Sequence, residues 1–265
     1  MAPTPVLAVG ALEAGGGGGL AADVLTLAAL GLAAAPVATA VAVEDASSLA
    51  VVGEIPLPAV REQLRGAREI HPPRSVKIGL VTTVPVVRLL AEEVWSLGVP
   101  SVLDPEMTDA GAPRLLRRAT LDALVRELLP AAAVVTPNLA EASVLAGFPI
   151  RDEADAKRAA RAIQQMGPQA VLVKGGLGTG SEVVDGLLDG RTWTTFRHPR
   201  IGTRHHHGVG TTLASALAAH LALGETLPDA VERAIDYVTR ALAASPGLDV
   251  GRGPLGHREA GPGLG

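Results

Sequence analysis

Short apolar runs rich in valine alternate along this chain with longer stretches whose apolar residues recur at helical spacing. VLAVGA (6–11) precedes a helical pattern over 20–30, VATAVAV (37–43) one over 58–69, and VKIGLV (76–81) one over 84–97. SVLD (101–104) is followed by 113–129, AVVTPN (133–138) by 139–146 and 152–166, and AVLVKGG closes the series at 170–176. Continuous apolar strands alternating with amphipathic helices predict a mainly parallel sheet covered on both faces. After Lys174 the pattern changes. EVVDGLLDG (182–190) and RTWTTFRH (191–198) predict an antiparallel pair turning near Asp189 and Gly190, and two helices follow over 210–223 and 227–244. The tail from Gly247 is glycine-rich and expected to be irregular. No linker or repeat divides the pattern, so the expectation is one α/β domain over residues 1–265.

Residues 24–43 carry no charge and are formally long enough to span a bilayer. Gly31 and Pro36 interrupt them, and helical spacing gives way to a β-branched run, so a core helix and strand are expected instead. The N-terminus lacks a basic flank of the signal-peptide kind, and a soluble, cytoplasmic protein is expected. Of 265 residues, 48% are hydrophobic, enough for a substantial core. A formal charge of -4 with 2% aromatic residues leaves neither a basic stripe nor a stacking platform, which argues against nucleic acid. The chain has no cysteine, which excludes disulfides, thiolate metal sites and a thiol nucleophile.

Five places bear residues suited to chemistry. Gly15 to Gly19 lie between the first strand and its helix, where glycine lets backbone amides approach a ligand; a flexible connection would read the same. Gly208-Val209-Gly210-Thr211-Thr212 opens an Ala/Leu helix. Its amides would form an anion hole for a transferring phosphoryl group, although a simple glycine cap accounts for the residues equally well. Asn138 and Glu141, where a strand meets a helix, have the spacing of an ordinary capping box. Both would also face the crevice at the strand's carboxyl end and organise hydrated Mg2+. Lys174, one of only three lysines, leaves another strand end beside glycines that would admit a nucleotide phosphate. His205, His206 and His207 cannot all converge on one ion from an extended segment, and no carboxylate or thiol cluster accompanies them in sequence.

The order of a glycine-rich turn with Asp23, then TPNLAEA, VLVKGG, RIGT, HGVGTTL and a closing GRGPLGH resembles the hydroxymethylpyrimidine and phosphomethylpyrimidine kinases of thiamin biosynthesis. These have the ribokinase-like fold, a three-layer α/β/α sandwich, and are related to one class of pyridoxal kinases. The resemblance runs from Val6 to His257. It implies ATP- and Mg2+-dependent phosphorylation of 4-amino-5-hydroxymethyl-2-methylpyrimidine and then of its monophosphate, in a homodimer. By motif, Asn138 and Glu141 match the pair that positions Mg2+ and nucleotide phosphate, Lys174 a lysine near the nucleotide, and Asp104 an aspartate near the phosphates. Gly208, Val209, Gly210 and Thr211 match the anion hole. Asp23, Glu44, Leu80 and Glu106 fall on the pyrimidine side.

The departures are informative. Thr211 stands where the family has a catalytic Cys, and a hydroxyl is far less acidic than a thiol, so Thr211 is no comparable base. Glu44 replaces a Gln, and a carboxylate only accepts hydrogen bonds. It would still pair with a ring protonated on nitrogen. Leu80 replaces a Met, Glu106 a Val, Ala110 a Lys, Leu177 a His and Glu13 an Asp, while His205 and His206 replace Asn and Thr. A neutral hydroxymethyl group must lose its proton whereas a monophosphate is already ionised, so retained activity is expected to favour the monophosphate. The alternatives are a paralogue that binds pyrimidine or nucleotide without turnover, and a pyridoxal-type kinase.

Overall fold

The structure, a computed structural model, describes residues 3–44, 49–107, 116–175, 177–178, 180–246 and 253–261. Among these, the first strand β1 (Pro5–Glu13) leads through helix α1 (Gly19–Ala29) to β2 (Ala33–Glu44), and β3 (Leu49–Glu54) follows. Then come α2 (Leu57–Ile70), β4 (Ser75–Ile78), α3 (Val84–Leu97), β5 (Ser101–Leu103), α4 (Arg118–Ala123) and β6 (Val134–Val135). The remainder is α5 (Leu139–Ala146), α6 (Glu153–Gln164), β7 (Ala170–Val173), β8 (Glu182–Asp189), β9 (Thr192–Pro199), α7 (Val209–Ala222), α8 (Leu227–Ala243) and α9 (His257–Ala260).

The described strands form one nine-stranded sheet in the order β3-β2-β1-β4-β5-β6-β7-β8-β9. Its middle, from β2 to β7, is parallel, and antiparallel pairs finish both ends. Two apolar clusters lie on opposite faces. One packs α2, α3, α5 and α6 through residues such as Val60, Leu90, Leu145 and Ile163. The other packs α1, α7, α8 and α9 through Leu27, Leu217, Tyr237 and Ala260. This is the mainly parallel sheet covered on both faces that the alternation predicts, and the three-layer ribokinase-like sandwich that the resemblance implies. Alanines 214, 216, 218 and 219 are fully buried in α7, and their small side chains let it lie close against the sheet.

Three expectations change. β3, adjoining the edge of β2, was not among the strands expected. The helix expected over 113–129 begins only at Arg118, passes through a π turn at Leu124–Leu128 and a 3-10 turn at Leu129–Ala131, and Pro130 accounts for its end. The tail expected to be irregular contains α9. His257 and Ala260 bury its side against α1 and α8, and the Tyr237 hydroxyl donates to the His257 carbonyl at 3.1 Å. Residues 247–252 of that tail, Ala110 and Gly176 lie outside the described residues. The charge-free stretch is helix, a left-handed turn at Gly31 (φ 78°) and strand. Among the described residues no helix is long and apolar enough to cross a membrane.

Candidate active site

The parallel ladder continues past the strand ends, and this brings polar residues into a row. The amide of Gly79 donates to the Val9 carbonyl, Asp104 to Ile78, Thr136 to Leu103 and Lys174 to Pro137, at 2.8–3.0 Å. Asn138 and Lys174 form a parallel bridge. Residues just beyond the carboxyl ends of β1, β4, β5, β6 and β7 therefore share one edge, where open α/β sheets bind ligands. A cavity of about 760 Å³ opens there, and Asp104, Glu106, Asn138, Glu141, Lys174 and the segment Gly208 to Thr211 all line it.

Gly208 caps α7 in the left-handed conformation (φ 79°), and the first hydrogen bond of the helix runs from the Thr212 amide to its carbonyl at 2.8 Å. The amides of Val209, Gly210 and Thr211 precede that bond and have no intrahelical acceptor, so this end of α7 presents donors and the positive end of the helix dipole. Gly208 is sterically required, and Gly210 lies close under the Lys174 ammonium. A Cβ at Gly208 would fall 1.7 Å from the Gly17 carbonyl oxygen, and one at Gly210 would fall 2.8 Å from Lys174 Nζ.

Lys174 donates to Asp104 Oδ1 at 2.5 Å, and the Thr136 hydroxyl approaches the same oxygen at 3.4 Å. Asn138 and Glu141 do form a capping box. Asn138 Oδ1 accepts from the Glu141 amide at 2.9 Å and Glu141 Oε2 from the Asn138 amide at 3.0 Å. Glu141 Oε1 accepts from the Met107 amide at 3.0 Å. The cap is thus also a cavity wall, and both interpretations of the spacing hold at once. Burial raises the Glu141 carboxyl above the usual carboxylate range, against the opposing pull of Lys174.

A second charged group lies beneath α7. Asp23 is fully buried, with Oδ1 accepting from Ser215 at 2.5 Å and Lys77 Nζ lying 2.9 Å away. Burial raises Asp23, while Lys77, whose charge burial opposes, is held above its ordinary value by Asp23, Glu106 and Asp104. The ammonium is therefore retained inside the fold. Glu106 stands 3.7 Å from Lys77 and accepts from the Thr211 hydroxyl at 3.2 Å. Burial, first of all, pushes its carboxyl up to about 7. Its φ of 43° is the one positive value at a non-glycine among the described residues, a strain on the order of 1 kcal/mol or more at a site wall.

Asp185 and His198 escaped the sequence reading, which named His207 and Glu13 but not their pairing. Asp185 accepts from the Gly175 amide at 2.6 Å and contacts His198 Nε2 at 3.0 Å. His207 Nε2 meets the Glu13 carboxylate at 2.9 Å, and both flank the glycine run. A Cβ added at Gly17 or Gly18 would fall within 2.8 Å of the His207 ring, so this part of the run lies against His207. Charged residues inside apolar runs, Lys77 in VKIGLV and Asp185 in EVVDGLL, were the available signal. His205 is buried and accepts from the Gly253 amide at 3.2 Å. His206 lines the cavity.

Two residues that the resemblance puts on the pyrimidine side are buried. Asp23 anchors Lys77 and Ser215. Leu80 is fully buried in the core, with its carbonyl accepting from Thr39 at 2.7 Å. Glu106 does line the cavity. The backbone of Glu44 ends β2, and its side chain lies outside the described residues.

The phosphomethylpyrimidine kinase family profile matches residues 13–256. A hydroxymethylpyrimidine/phosphomethylpyrimidine kinase of Streptomyces coelicolor is 39% identical over 262 residues, 97% of each chain. Among solved structures, the pyridoxal kinase from Staphylococcus aureus in complex with AMP-PCP and pyridoxal superposes with a TM-score of 0.88 at 29% identity, covering 98% of this chain and 95% of the other. A phosphomethylpyrimidine kinase from Clostridium difficile gives 0.79 at 30% identity, covering 90% and 99%. The sandwich, the row of polar strand ends facing the start of α7, and the near full-length match to these relatives together place this chain in the phosphomethylpyrimidine kinase family.

Proposed function

We propose that the protein transfers the γ-phosphoryl group of ATP to 4-amino-5-hydroxymethyl-2-methylpyrimidine and to its monophosphate. The observation that carries this is the meeting, in one cavity, of the unbonded amides of α7, Lys174 with Asp104, and the Asn138–Glu141 cap. Phosphoryl transfer depends mostly on positioning and on stabilising charge that develops on the migrating group. The amides of Val209, Gly210 and Thr211 would receive that group, and Lys174 would hold nucleotide phosphate.

Glu141 and Asn138 suit hydrated Mg2+. Both offer oxygen ligands, and each Glu141 oxygen is fixed by a backbone donor while the carboxylate still faces the cavity. Magnesium bound there would neutralise phosphate charge. The relative bound to AMP-PCP supports nucleotide at the equivalent site. Thr211 cannot take a proton near neutrality, which on its own account makes the monophosphate the easier acceptor. Use of ATP fits a cytoplasmic location.

A homodimer is part of the same proposal. Leu12 (50% exposed), Val41 (38%) and Val43 (42%) lie on one face of the paired ends of β1 and β2, an apolar patch suited to a second copy. Light scattering at micromolar concentration should give twice the mass of the chain, and a monomer there would contradict this part.

ATP consumption measured with hydroxymethylpyrimidine, its monophosphate and pyridoxal in parallel decides the function. Release of ADP dependent on either pyrimidine supports the proposal. Dependence on pyridoxal alone would make it a pyridoxal kinase, and a melting shift without turnover would make it a binding protein.

A further inference from the structure

Building on the kinase function just proposed, we propose that Glu106 is the catalytic base for the alcohol acceptor: the carboxylate takes the hydroxyl proton as the substrate oxygen attacks. The cavity has five carboxylates among the described residues: Glu13, Asp104, Glu106, Glu141 and Asp185. Four are committed at hydrogen-bond distance to His207, to Lys174, to two backbone amides, and to the Gly175 amide with His198. Glu106 is placed differently. Its side chain is 18% exposed, against 3% for Asp104, and Lys77 at 3.7 Å lies beyond hydrogen-bond reach. Its Oε1 accepts from Thr211, a residue of the first turn of α7, so the carboxylate borders the amides that would receive the phosphoryl group.

Local structure holds it there. The left-handed backbone at Glu106 turns the side chain towards β4, and Gly79 leaves the space it occupies; a Cβ at position 79 would come within 2.7 Å of both Glu106 Oε1 and Lys77 Nζ. The charged groups acting on Glu106 are Lys77 from β4, Asp23 from α1, Asp104 just past β5 and Lys174 just past β7. Burial with the two aspartates outweighs the two lysines and brings Glu106 to about 7, the range in which a general base is most effective at neutral pH.

In the transfer, the acceptor oxygen forms a bond to the γ-phosphorus. The bond from that phosphorus to the bridging oxygen breaks, its electron pair staying with ADP, and the hydroxyl proton passes to Glu106 and then to water in the cavity. Thr211 would orient the carboxylate and yield its hydrogen bond as substrate enters. A monophosphate acceptor, with a second pKa near 6, arrives already ionised and depends on this proton transfer far less. The advantage of the monophosphate expected from Thr211 alone is thereby narrowed.

The test compares Glu106→Gln with the native enzyme on both acceptors. We expect kcat/KM for the alcohol to fall about 100-fold or more while the monophosphate loses less than about 10-fold, so that their ratio moves at least about 10-fold towards the monophosphate. The native alcohol profile should rise with pH through a limb near 7 that the Gln variant lacks, and Glu106→Asp should recover part of the alcohol rate. Equal losses on both acceptors, or no loss on the alcohol, would overturn the assignment. Should the Gln variant fail to fold, the native pH profile decides, since absence of that limb on the alcohol overturns it as well. Native enzyme inactive on both pyrimidines would instead refute the kinase function, and this inference with it.

Discussion

His257 shows how one side chain ties the far end of the chain to the fold. It is buried between α1 and α8, with Nδ1 3.4 Å from the Thr26 hydroxyl, and burial pushes its imidazole down to about 4. Folding therefore favours neutral His257, whereas the unfolded chain takes up a proton near 6.5. Between those values the unfolded state binds more protons, so stability falls as pH drops from about 6.5 towards 4, by up to about 3 kcal/mol. Thermal melting of His257→Gln should lose much of that acid sensitivity; an identical pH dependence would contradict the assignment. Glu106 works in the opposite direction, being raised, and its ionisation is most costly to the fold above neutrality. Neither behaviour could be read from sequence, because burial and neighbouring charge set both and neither is local in the chain.

The elements carry the site through their ends. Asp104, Thr136 and Lys174 directly follow β5, β6 and β7, and α7 starts behind Gly208, where a Cβ would press on the turn at Gly17. Gly208→Ala adds a Cβ 1.7 Å from the Gly17 oxygen in a left-handed backbone. We expect a loss of about 1–3 kcal/mol of stability and at least a tenfold drop in kcat/KM, read by denaturant melts and steady-state rates. Native-like values for both would show that the two glycine turns do not constrain each other. The alternation of valine runs with amphipathic stretches made most strands and helices legible in the sequence. β3 was overlooked, although Asp45, Ser47 and Ser48 offer a turn signal ahead of LAVVGE. The short helix α9 was hidden by its glycine-rich surroundings; it persists through tertiary contacts and not through propensity.

At the scale of the whole molecule, the sheet places five strand ends and one helix start around a single cavity, and the two apolar layers keep that edge fixed. Asn138, Glu141, Lys174 and the Gly208–Thr211 turn stood out as candidates because each sits at a strand end or helix start with distinctive neighbours, whereas Asp104 came from the resemblance alone. That Asp23 and Leu80 are buried was not legible, because sequence order says nothing about which side of a strand end is sealed. The pairing of Glu106 with Thr211 joins residues 105 positions apart, so only the folded chain shows that a carboxylate stands beside a position that lacks a base. The central claim is that the start of α7 receives the migrating phosphate. A crystal structure with ADP, Mg2+, aluminium fluoride and hydroxymethylpyrimidine measures this directly. We predict a planar fluoride within about 3 Å of the amides of Val209, Gly210 and Thr211, with Lys174 on the ADP phosphates and Glu106 within hydrogen-bond reach of the acceptor oxygen. A fluoride bound elsewhere, with those amides facing only solvent, would contradict it.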